Sequence, residues 1–143
     1  MLDKTKATEA LAQRWYAALD THEPTQTLVD MLDPSDLKMV FPEATLSGVE
    51  GFVGWYEGVI RIFFDEVHKV KSVSLGAEHN GRTETKVAVH WEASRWNAPA
   101  AKSDRIMLIA YQTWEVTFTA SGEAKVAKYT VDSLEYLPGS AQL

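Results

Sequence analysis

The chain contains no cysteine, which removes disulfide frameworks, thiolate metal sites and cysteine nucleophiles from consideration together. It also lacks long apolar runs. No stretch approaches the roughly 18 apolar residues of a membrane span, and the opening "MLDKTKATEALAQRW" has no apolar signal-peptide core. A soluble protein in the cytoplasm, without a membrane partner, is therefore expected. Positive charge is scarce as well: 14 Lys and Arg stand against 20 Asp and Glu, for a formal net charge of -6. With no basic cluster, the chain repels phosphate backbones, so nucleic acid is not an expected partner, and a small uncharged or cationic ligand is easier to accommodate. The four histidines, His22, His68, His79 and His90, are scattered without metal-ligand spacing. No Gly-rich phosphate loop and no G-x-S-x-G elbow occurs, and no cofactor is expected.

What is present reads as one globular domain over residues 1–143, long enough to bury about 70% of its unfolded surface. From Thr8 onward, Leu11, Trp15, Ala18 and Leu19 recur at helical spacing among several alanines, predicting a first helix to about Asp20. "THEPTQTLVDMLDPSDL" predicts a turn at Glu23-Pro24 and a short helix over Thr25 to Leu32, stopped by Pro34. "LKMVFP" reads as a short strand ended by Pro42, followed by a loop through Gly48. The segment "VEGFVGWYEGVIRIFFDEV" places Phe52, Tyr56, Val59, Ile60, Phe63 and Val67 on one stripe, predicting a third, deeply buried helix. Its three early glycines imply close packing against a neighbouring backbone. His68 then follows as a favourable charge at that helix's C-terminus. Four β-rich segments complete the chain, about Lys69 to Ala77, Thr83 to Trp96, Arg105 to Thr119 and Lys125 to Leu137, joined by turns such as "HNGR" and "TASGE" into an antiparallel set.

Strand parity assigns faces. In "RIMLIAYQTWEVTFTAS" the even positions Ile106, Leu108, Ala110, Trp114, Val116 and Phe118 form an apolar row broken by Gln112. That row should pack on the helices. Gln112, a primary amide in such a row, either opens onto a cavity or bonds a loop backbone. Met107, Ile109 and Tyr111 make half of the opposite face apolar too, which points to a homodimer through the outer face of the sheet. In "VAVHWEASRWN", Val87, Val89, Trp91 and Ala93 fall on the core face and His90 and Glu92 on the other, unless a bulge exchanges them.

With this order of elements, the chain resembles the SnoaL-like branch of the nuclear transport factor 2-like superfamily. The resemblance is carried by "VFPEATLSGVEGFVGWYEGV", a strand ending in Pro before a Gly-led third helix, and by "AKVAKYTVDSLEY" as the closing strand. It implies an α+β, cone-shaped barrel in which three N-terminal helices pack on a strongly curved, mostly antiparallel sheet. It also implies a pocket between helices and sheet, and cofactor-independent proton transfer. Tyr16 lies on helix one, where ketosteroid isomerases carry an oxyanion-stabilising Tyr, and is otherwise a core aromatic. Those isomerases place a base Asp before the Pro that ends the first strand, whereas Phe41 precedes Pro42 here, which argues against steroid isomerisation. Asp132 sits where SnoaL-like cyclases place an acid/base Asp, and is otherwise a solvent-facing strand acid. The resemblance thus gives Tyr16, Asp132 and, if turned inward, His90 as catalytic residues, with Trp55, Trp91, Gln112 and Trp114 lining a pocket or filling the core. Two functions fit: a lyase, isomerase or cyclase acting on a small apolar, ring-bearing molecule, or a non-catalytic ligand-binding or assembly module.

Overall fold

Six strands make one curved sheet, with three helices packed against its concave face. The computed structural model describes residues 3–143. Helix α1 spans Lys4–Asp20, starting a turn earlier than the alanine pattern suggests because the Asp3 side chain caps the Lys6 amide at 3.0 Å. Helix α2 spans only Thr25–Val29, and β1 is Lys38–Val40. The loop expected before Gly48 contains a further strand, β2 at Thr45–Ser47, which hairpins onto β1. Helix α3 follows at Gly48–Ile62.

The third helix is where sequence periodicity and structure part. The expected stripe runs on to Val67, yet the chain turns extended at Phe63 and continues as β3, Phe63–His79. Phe63 and Val67 are residue types that suit a strand as well as a buried helix. As a strand, however, the segment gains the ladder with β4, Arg82–Arg95, beginning at Phe63↔Arg95. His68 therefore lies well inside a strand rather than at a helix end. Within α3 only Phe52 and Tyr56 are fully buried, so this helix is less deeply sunk than its stripe implies. Of its glycines, Gly51 alone meets the close approach inferred for all three: a Cβ there would sit 3.3 Å from Leu46 Cβ, while Gly54 and Gly58 face open space.

Strands β4, β5 (Asp104–Phe118) and β6 (Ala124–Tyr136) pair antiparallel, and β1 joins β6 in parallel. The sheet is not closed; β2 and β3 form its edges. The β4–β5 register is unbroken from Thr83 to Arg95, so no bulge of β4 against β5 exchanges its faces. Irregularities fall instead on β3 and β6. The even residues of β5 do form the core face, where Ile106, Leu108, Trp114 and Val116 are buried against Leu11, Trp15 and Phe52 from the helices. No described helix is long and apolar enough to cross a membrane.

Candidate active site

A cavity of about 130 Å³ opens between α1, α3 and the concave sheet. Its wall is mostly apolar, including Leu19, Phe41, Trp55, Val89, Trp91 and Leu108, with Glu43, Glu66, His68, Tyr16, Gln112 and Tyr129 as its polar members. Such a balance, apolar walls with a few convergent polar groups, is that of a small-molecule site.

His68 is the most constrained of these. Its side chain is 8% exposed, and its ring lies between Tyr16 and Trp91, with centroid separations of 4.7 and 5.9 Å and near-parallel planes. Asp20, the last residue of α1, holds it from below. One Asp20 oxygen lies 2.5 Å from His68 Nδ1, and the other accepts the His68 backbone N–H at 2.9 Å. A neutral His68 that donates Nδ1–H to this carboxylate keeps its lone pair on Nε2. Nε2 has no hydrogen-bond partner among the described residues.

A second acid–histidine pair crosses the first. Asp20 and His22 flank the end of α1, Glu66 and His68 are two apart on β3, and each acid bonds the other segment's histidine. His22 Nε2 lies 2.7 Å from Glu66 Oε2, and Trp91 Nε1–H donates to Glu66 Oε1 at 3.3 Å. Two left-handed residues make the crossing possible. His22 itself has φ 50° just past the helix, and Asp65 has φ 51° in the β3 bulge that turns Glu66 inward.

Joined to this cluster through Tyr16, a buried polar chain runs along the cavity wall. Trp114 Nε1–H donates to Gln112 Oε1 at 2.9 Å, Gln112 Nε2–H donates to the Tyr16 hydroxyl at 2.9 Å, and the Tyr16 and Tyr129 hydroxyls are 3.0 Å apart. Burial pushes the Tyr129 phenol up to about 12, and burial together with neighbouring Tyr129 holds that of Tyr16 well above its usual value. Both phenols are thus neutral donors near pH 7.

Of the residues singled out from sequence, Tyr16, Trp55, Trp91 and Gln112 line this cavity. Trp114 is fully buried behind it, bonded to Gln112. His90 and Asp132 are not brought to it. His90 is on the outer face, 2.9 Å from Glu92. Asp132 is the extra residue of a β6 bulge and accepts the Thr113 hydroxyl at 2.6 Å on the exposed side. Asp20, His22, Glu66 and His68 were not anticipated in these positions. One sequence signal was available for Asp20: an acid closing a helix opposes the macrodipole by about 0.3–1 kcal/mol, so its presence there asks for another reason. Among the described residues no three His, Asp or Glu side chains converge as metal ligands.

No protein-family model and no curated protein matches the sequence. Solved structures do resemble the fold. A hexachlorocyclohexane dehydrochlorinase (LinA, type 2) superposes with TM-score 0.71 at 16% identity, over 98% of this chain and 95% of the other. A protein of Novosphingobium aromaticivorans provisionally described as a scytalone dehydratase gives 0.72 at 13% identity, over 97% and 89%. A ketosteroid isomerase-like protein of Erwinia carotovora atroseptica gives 0.67 at 15%, over 90% and 92%. At these identities the likeness is one of fold: three helices packed on a curved, mostly antiparallel sheet.

Proposed function

We propose that this chain is a cofactor-independent enzyme of the lyase or isomerase kind on the fold it shares with these proteins, in which His68 is the base and Asp20 its orienting partner. The observation that supports it is the His68–Asp20 contact of 2.5 Å at the wall of an apolar cavity. His68 Nε2 takes a proton from a carbon of a small ring-bearing ligand. The C–H electron pair moves into the ligand, either forming an enolate or expelling a leaving group as a double bond forms. Asp20 stabilises the imidazolium that results. Negative charge that develops on a ligand oxygen is met by the phenol chain: when Tyr16 donates to Tyr129, the Tyr129 proton is left for an acceptor in the cavity. His68 and Asp20 take the acid–base roles first sought in His90 and Asp132, which do not line the cavity. Dehydrochlorination, dehydration and isomerisation, the activities named for the three similar proteins, can each proceed by removal of a proton from carbon.

The test uses 5-nitrobenzisoxazole, a small fused two-ring probe whose isoxazole ring opens when a base removes its C–H proton. The wild-type protein is expected to open it with saturation kinetics. His68→Gln should lower kcat by about 100-fold and Asp20→Asn by about tenfold, with far-ultraviolet circular dichroism unchanged. Wild-type kinetics that His68→Gln leaves intact would sink the base assignment and favour a ligand-binding module.

We also propose that the protein is a homodimer through the outer sheet face, where Met107 and Ile109 are half-buried and Val67 and Tyr111 are about 40% exposed. These side chains share one face of neighbouring strands, since Val67 and Met107 both pair with Glu92, and Ile109 lies two residues from each of Met107 and Tyr111 on β5.

A further inference from the structure

The proton-transfer reading leaves one buried acid unused. Glu66 is 8% exposed and lines the cavity, yet neither removes the proton nor orients His68. A carboxylate offers about four acceptor positions. Trp91 Nε1–H and His22 occupy two of them, so acceptor capacity remains for whatever fills the cavity. As acceptors the other polar groups of the wall are less available, because Tyr16, Gln112 and Tyr129 accept from one another and from Trp114. The wall includes Glu43 and Glu66 but no Lys or Arg among the described residues. An anionic ligand would therefore bring its charge beside the buried Glu66 in an apolar space with no Lys or Arg to receive it, at a cost in desolvation and like-charge repulsion.

We propose that Glu66 is the acceptor for a ligand hydroxyl, so that the cavity selects a neutral ring-bearing alcohol or phenol over the corresponding carboxylate. The inference rests on the reading of this cavity as the substrate site. It also specifies the substrate's geometry. Glu66 and His68 are two residues apart on one strand face, about 7 Å along the chain. A hydroxyl anchored on Glu66 then leaves the adjacent ring carbons next to His68 Nε2. The acceptor is held in place from two sides: Trp91, the β4 register partner of His68, donates its indole N–H to it, and His22 is fixed by the left-handed turn that ends α1. The His22 side chain is 30% exposed, so the Glu66–His22 pair also links the cavity to solvent.

Phenol, anisole and benzoate separate the terms, since they share one ring and differ in O–H donation and in charge. Binding to the wild-type protein at pH 7 would be measured by chemical-shift titration. Phenol is expected to bind about fivefold or more tighter than anisole, and about tenfold or more tighter than benzoate. Glu66→Gln should bring the phenol-to-benzoate ratio within about threefold. The side-chain carboxyl ¹³C resonance of Glu66 in the wild-type protein should move with phenol and stay still with anisole, a readout that needs no variant to fold. Benzoate or anisole binding as tightly as phenol, no binding of phenol at millimolar concentration, or a Glu66 resonance indifferent to phenol would each overturn the proposal. These outcomes are separable from the base assignment. Loss of phenol preference with ring opening still dependent on His68 removes only the hydroxyl acceptor. Intact preference without any ring opening leaves the ligand class standing and removes the chemistry.

Discussion

Gln112 is a primary amide in a row of apolar side chains, and two accounts of it compete at the sequence level: a wall of a cavity, or a satisfied core amide. The structure joins them, since the residue is 3% exposed, lines the cavity and is bonded to Trp114 and Tyr16. The energetic consequence follows from Trp114. Gln112→Leu fills the same space but leaves a fully buried indole N–H without its acceptor, which costs about 1–3 kcal/mol. Urea unfolding should register a loss of that size, whereas an unchanged midpoint would mean that the indole finds another partner or that Gln112 is dispensable to the wall. Tyr16 rested on the resemblance alone, whereas Trp91, Gln112 and Trp114 were legible from strand parity because β4 and β5 alternate against each other without interruption. The acid and histidine members were not. Asp20 and His68 are 48 residues apart, and nothing local to either announces the other.

At the scale of elements, the boundary between α3 and β3 decides how much of the site a sequence can reveal. The helical stripe ends in Phe63 and Val67, residues that also suit a strand, and carrying the helix across them turns His68 into an end-of-helix charge. Tertiary pairing with β4 settles the matter, and it is invisible to a local pattern. The glycines of α3 illustrate a second limit. Composition shows that they weaken the helix but not why each is there. Gly51 is required by the approach of Leu46, while a methyl group at Gly54 would meet nothing within 4 Å. Gly54→Ala is therefore expected to stabilise the protein by about 0.5–1 kcal/mol through helix propensity and a less flexible unfolded chain. A thermal scan would show this as a higher Tm, and a fall would mean that the open space beside Gly54 is occupied in solution. The β2 hairpin, three residues long at Thr45–Ser47, is too short to carry a period and was read as loop.

For the whole molecule, the open sheet raises the question of which surface meets a partner. Ile109→Glu would bury an unpaired carboxylate in the proposed face-to-face dimer and should dissociate it. Light scattering is expected to fall from twice the chain mass of 16.0 kDa to that mass; a wild-type protein already at the monomer value would exclude this interface. A face is the plausible meeting ground because the edge is poorly suited to one. At 17 residues, β3 is a long strand on the sheet's margin, and a straight one would offer its free backbone groups as a template for further strands. It is not straight. Its pairing with β4 slips between Phe64 and Val67, between Val70 and Ser72, and between Leu75 and Glu78, and exposed Lys69 and Lys71 stand along it. The first of these slips also aims Glu66 and, beyond it, His68 into the cavity. One local irregularity thus serves both the chemistry and resistance to aggregation: a change that smoothed the bulge at Asp65 would withdraw the site's acid from the cavity and straighten the margin along which stray chains could add.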